Sequence, residues 1–89
     1  MNCVDAIILN KLGMHARASA KLVSLASSFE SSITVSRDGR SVNGKSIMGI
    51  MMLAAGKGTT IQICADGPDE TSASKALCQL IQCRFGEEA

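Results

Sequence analysis

Apolar residues in this chain switch repeatedly between two spacings, and the order of the switches leaves few folds open. Residues 2–9 alternate, with Val4, Ala6 and Ile8 on one face, the pattern of a half-buried strand. Residues 16–28 change to helical spacing, and Leu22, Leu25, Ala26 and Phe29 make one stripe. Ile33 and Val35 return to alternation over residues 32–36. Asp38-Gly39 reads as a hairpin turn, because glycine accepts the positive φ of tight turns, and residues 40–43 form the return strand. Residues 47–53 predict a short methionine-rich helix that Gly56 and Gly58 bring to an end. Ile61, Ile63 and Ala65 align in a fourth strand over residues 59–66. Gly67-Pro68 breaks the chain, and Ala73, Ala76, Leu77, Leu80 and Ile81 stripe a last helix over residues 69–84. The order is βαββαβα, with no internal repeat, low-complexity tract or linker. It predicts an α+β fold of two layers, an open-faced sandwich. Its four-stranded antiparallel sheet carries three helices on one face and meets solvent on the other.

Length and composition narrow the function. Residues 1–89 are expected to form a single domain with one core. Apolar residues are 46% of the chain and aromatics 2%, so the core must be aliphatic. With Phe29 and Phe85 as the only rings, stacking on nucleic-acid bases has almost no means. A net charge of +1 without any basic run likewise argues against nucleic acid and membrane surfaces as partners. The N-terminus has no basic segment followed by a long apolar one, so no signal peptide is read, and no apolar stretch reaches membrane-spanning length. A soluble, cytoplasmic protein is expected. Cys3, Cys64, Cys78 and Cys83 are scattered and form no CxxC pair. One histidine and no CxxC argue against a metal site, and the thiols are expected to be reduced and to act as small hydrophobes.

Gly13-Met14-His15-Ala16-Arg17-Ala18 holds the single histidine, directly before a helical stretch. A helix start is a natural anion site, with free N–H groups and the positive end of the dipole. The backbone of Ala16, Arg17 and Ala18 would offer those groups. Imidazole is nucleophilic when neutral, so His15 is a candidate phosphoryl acceptor. The planar fork of Arg17 suits phosphate oxygens, and a solvated arginine in a first turn is otherwise mildly misplaced. Ser46 precedes the short helix, where serine is a preferred N-cap. A short helix cannot bury Ile47, Met48, Met51 and Met52 in one stripe, so some of them are expected on the surface as an apolar patch next to His15, whereas Ile50, Met51 or Leu53 fits the core.

Two segments carry a resemblance. Asn10-Lys11-Leu12-Gly13-Met14-His15-Ala16-Arg17 resembles the active-site segment of the HPr family. These are the histidine phosphocarriers of the bacterial phosphoenolpyruvate-dependent sugar phosphotransferase system. The stretch from Val42 to Gly58 is similar to the serine-site segment of the same family, at matching separation. One departure is Ala18, where most of the family has proline. Alanine forgoes the φ that proline presets, which bears on the rate and tightness of the site more than on its chemistry.

The resemblance implies a carrier rather than an enzyme with a substrate of its own. His15 would accept a phosphoryl group on Nδ1 from enzyme I, with phosphoenolpyruvate as the ultimate donor. It would pass the group to a histidine of an EIIA-type domain, with Arg17 as the phosphate clamp. No cofactor is implied. Ser46 would be the target of a dedicated kinase/phosphorylase in part of the family. Ile47, Met48 and Met51 would dock donor and acceptor, with Lys45 adding charge complementarity. The alternative is a mainly regulatory relay or binding protein, either of the nitrogen-related branch or controlled through Ser46. A monomer is expected.

Overall fold

The computed structural model describes residues 1–88. Strand β1 spans Asn2–Ile7, helix α1 Ala16–Ser27, β2 Ser32–Arg37, β3 Arg40–Asn43, α2 Ile47–Met52, β4 Thr60–Asp66 and α3 Glu70–Gln82. A single turn, Arg84–Gly86, follows α3. The sheet is antiparallel throughout, in the order β1-β4-β2-β3. The crossovers through α1 and α2 therefore each skip one strand and interleave. The expected α+β open-faced sandwich with its βαββαβα order is the observed fold.

Alternation decides which face is buried. Register sets Val4 opposite Ile63, Ile63 opposite Val35 and Val35 opposite Val42, an apolar row across all four strands. Ile8, Val35, Ile63 and Ala65 are wholly buried beneath Ala18, Leu22 and Ala26 of α1 and Ala73, Leu77 and Ile81 of α3. The α1 stripe runs further toward its N-terminus than the apolar spacing alone predicts. Ala18 and Ser19 are buried, while Leu25 and Phe29 flank the core. Asp38 and Gly39 both take positive φ (49° and 80°), the hairpin geometry that their sequence predicts.

Three expectations change. Helix α2 ends before Gly56, because Ala54 takes the left-handed position (φ 51°) that glycine usually fills. Helix α3 ends at Gln82 rather than at residue 84, because Arg84 enters the left-handed region (φ 56°). Cys3 and Cys64 are not reduced thiols but a disulfide, and Cys78 and Cys83 are free. The cause is register: Cys3 and Cys64 face each other across β1 and β4 on the outer side of the sheet. The bond joins residues separated by 61 positions. In the chain-entropy account, closing a loop that long is worth about 4 kcal/mol. A phosphine reductant is therefore expected to lower the urea midpoint of the native chain. Cys64→Ser should start at the lowered midpoint and ignore the reductant.

Acid should also weaken the fold. The hydroxyl of Ser31 and the backbone N–H groups of Glu30 and Ser31 all donate to Asp69, holding its carboxyl below the usual range. The terminal ammonium of Met1 does the same for Glu70. A depressed carboxylate stabilises the fold above its ordinary pKa of about 4, and that share is lost as pH falls through the lower folded value. The urea midpoint should therefore drop between neutral pH and pH of about 3, and Asp69→Asn should flatten the drop.

Candidate functional site

His15 occupies the N-cap of α1 in extended geometry (φ −71°, ψ 176°), and its carbonyl accepts the Ser19 N–H at 2.9 Å. The loop before it is rigid for two reasons. Asn10, wholly buried, closes the turn by donating Nδ2 to the Gly13 carbonyl at 2.7 Å. Gly13 sits at φ 64°, and a Cβ there would lie 2.7 Å from the Ala55 oxygen and 2.8 Å from Gly56 Cα. Only glycine fits that conformation and approach. Met14 then donates its N–H to the Ala55 carbonyl at 2.9 Å, which fastens the His15 loop to the residues just past α2.

The N–H groups of Ala16, Arg17 and Ala18 have no backbone partner among the described residues, and the first turn of α1 holds no acidic residue. Ala18 is buried against the core but keeps an N–H that a proline would lack. The positive end of α1 thus offers three donors beside His15. Arg17 is exposed and has no hydrogen-bond or ion-pair partner among the described residues. It lines a shallow groove with Lys11, Leu12 and Glu87.

Sequence reasoning missed Glu87. Its Oε2 lies 2.5 Å from Nε2 of His15, and its Oε1 accepts Asn10 Nδ2 at 3.1 Å. Donation from the His15 ring, then from the Asn10 amide, holds the Glu87 carboxyl below the usual range, and the charge of Arg17, with that of His15 in its protonated form, adds to this. The only sequence signal was Gly86, whose positive φ (80°) ends the turn that turns the chain back.

The second predicted segment is in place around α2. Ser46 caps it as expected, its Oγ accepting the Gly49 N–H at 3.1 Å. Ile47 and Met51 are about half exposed, Met48 and Met52 more so, and Ile50 and Leu53 are buried. All four of the crowded residues are thus on the surface, and of the core candidates Ile50 and Leu53 are buried while Met51 is not. Lys45 is less free than a solvated loop lysine, since its Nζ donates to the Phe29 carbonyl at 2.8 Å just past α1.

Comparison with known proteins identifies the family. Residues 4–82 match the family model described as PTS HPr component phosphorylation site. The phosphocarrier protein HPr of Cupriavidus necator is 60% identical over 83 residues, which is 93% of each chain. The crystal structure of HPr-C-His from Thermoanaerobacter tengcongensis superposes with a TM-score of 0.96 at 48% identity, covering all of both chains. A structure of an HPr dimer from the same organism gives 0.79 at 48% identity, over 98% of this chain and 100% of that one. With the family model spanning most of the sequence and this identity over nearly its whole length, the chain belongs to the HPr family of phosphocarrier proteins.

Proposed function

We propose that this protein accepts a phosphoryl group on His15 from phosphorylated enzyme I and passes it to an EIIA-type domain of the sugar phosphotransferase system. The observation that carries the reading is His15 at the head of α1. There, the first-turn N–H groups and Arg17, which has no partner among the described residues, follow directly on a ring whose Nε2 is already held. Phosphoryl transfer needs in-line placement and charge stabilisation more than covalent help from the protein. A carrier must also release what it holds, and a surface site of one histidine and one arginine suits that. The protein acts as a reaction intermediate, without cofactor or metal, and as a monomer in the cytoplasm.

The test is to incubate the chain with phosphoenolpyruvate and enzyme I and to weigh it intact before and after mild acid. One added phosphate that acid removes is the expected result. No added phosphate, with the donor active on another carrier, would overturn the reading.

The exposed side chains of Ile47, Met48 and Met51 form the docking patch, where flexible methionine suits several partners. Ser46 is the regulatory position, because a phosphate there would stabilise α2 and set negative charge beside that patch. Ser46→Asp is expected to slow uptake from enzyme I by roughly tenfold or more through like-charge repulsion. Ser46→Ala should cost about 1 kcal/mol of stability through the lost cap and leave uptake near the native rate. Equal uptake rates for the two variants would rule out electrostatic blocking.

A further inference from the structure

We propose that Glu87 is a positioning residue for phosphoryl uptake: held by buried Asn10, its carboxylate keeps the ring proton of His15 on Nε2 and so presents Nδ1 as the nucleophile. The consequence for uptake rests on the phosphocarrier reading; the assignment of the proton does not.

The assignment follows from donors and acceptors. A carboxylate only accepts, so the hydrogen between Glu87 Oε2 and His15 Nε2 belongs to the ring. In neutral imidazole the other nitrogen, Nδ1, then carries the lone pair. Glu87 is itself fixed. The two hydrogens of Asn10 Nδ2 serve Gly13 O and Glu87 Oε1, so one buried amide ties the His15 loop to the C-terminal turn. Asn10 Oδ1 has no partner among the described residues, so this orientation carries the penalty of an unsatisfied buried carbonyl. An ordinary surface ion pair would not call for that placement. The pair is also poorly exposed, at 23% for the His15 side chain and 15% for that of Glu87.

The turn that delivers Glu87 is strained. Arg84 and Phe85 sit in succession at φ 56° and 55°, where side chains other than glycine's are disfavoured. Burial of Phe85, and the 2.7 Å hydrogen bond from Lys21 Nζ to its carbonyl, hold the turn closed. Strain kept by over-determined packing beside a reactive group fits a built site.

In the transfer step the Nδ1 lone pair forms the bond to phosphorus. The bond from phosphorus to the donor breaks, and its electron pair leaves with the donor. Nε2 keeps its proton, so the ring gains one positive charge, which the Glu87 carboxylate faces while Arg17 faces the phosphoryl oxygens. Passing the group on reverses each change.

The experiment records the ring nitrogen shifts of His15 in 15N-histidine-labelled protein at alkaline pH, together with the uptake rate from phosphorylated enzyme I. The native chain should show the Nε2–H tautomer. Glu87→Ala should show a mixture of tautomers and take up phosphate roughly ten- to a hundredfold more slowly. Glu87→Gln, whose amide oxygen can still accept from Nε2, should keep the tautomer and recover part of the rate. The same spectra report whether each variant is folded. Unchanged ring shifts in Glu87→Ala, or an unchanged rate, would overturn the proposal. A native chain with the tautomer fixed but no phosphate taken up would support the assignment of the proton and overturn the phosphocarrier reading instead.

Discussion

Replacing His15 with alanine is expected to abolish phosphoryl uptake from enzyme I while leaving the fold standing. The chain has no second histidine. The helix start and Arg17 can attract a phosphoryl group, but neither offers a nitrogen lone pair to bond it. Stability should change little. The His15 side chain makes no capping bond, and its backbone carbonyl, which the variant keeps, is what closes the first turn of α1. A loss within about 1 kcal/mol is expected in urea. Intact mass after incubation with phosphoenolpyruvate and enzyme I checks the first claim, and the urea midpoint checks the second. An acid-labile phosphate retained by His15→Ala would mean that the acceptor lies elsewhere. Arg17→Ala should instead slow uptake without abolishing it, because it removes charge stabilisation and keeps the nucleophile.

Much of this site is local in sequence, and that part was legible. His15, the N–H groups after it and Arg17 lie within four residues, so the helical spacing that starts α1 already brings them together. Ser46 and the hairpin at Asp38-Gly39 are likewise short-range chemistry. What stayed hidden depends on contacts that only tertiary structure creates. Cys3 meets Cys64 because β4 inserts beside β1, and periodicity carries no register between elements so far apart. Glu87 meets His15 because the chain reverses after Gln82, through left-handed Arg84 and Phe85 before Gly86 completes the turn. Apolar spacing carried the helix to residue 84, since neither Arg84 nor Phe85 announces a left-handed backbone. Ala54 conceals the end of α2 in the same way, while Gly56 and Gly58 stand later as misleading stops.

Truncating Phe85 should have the largest effect on stability of any change at that reversal. Its ring is the largest fully buried side chain in the fold, at 1% exposure. Phe85→Ala is expected to cost about 3–5 kcal/mol, from lost burial and the cavity left behind. A domain of this size has about 5–15 kcal/mol in total, so the variant would stand near its unfolding limit. The thermal midpoint should fall by at least roughly 12 °C. Phe85→Leu keeps most of the volume and should lose far less. The cavity is only half of the argument, because Phe85 is also what holds the left-handed turn shut over α1, with Lys21 on its carbonyl. When the anchor goes, the strained backbone of Arg84 and Phe85 has reason to relax, and Glu87 leaves His15 with it. Phe85→Ala should therefore show two losses at temperatures where it is still folded: a lower midpoint, and the mixed ring tautomers of Glu87→Ala. Glu87→Ala should show the second loss with little of the first. If Phe85→Ala were destabilised by this amount and still kept its Nε2–H tautomer, the ring would serve the core alone, and something other than the C-terminal turn would be holding Glu87 against His15.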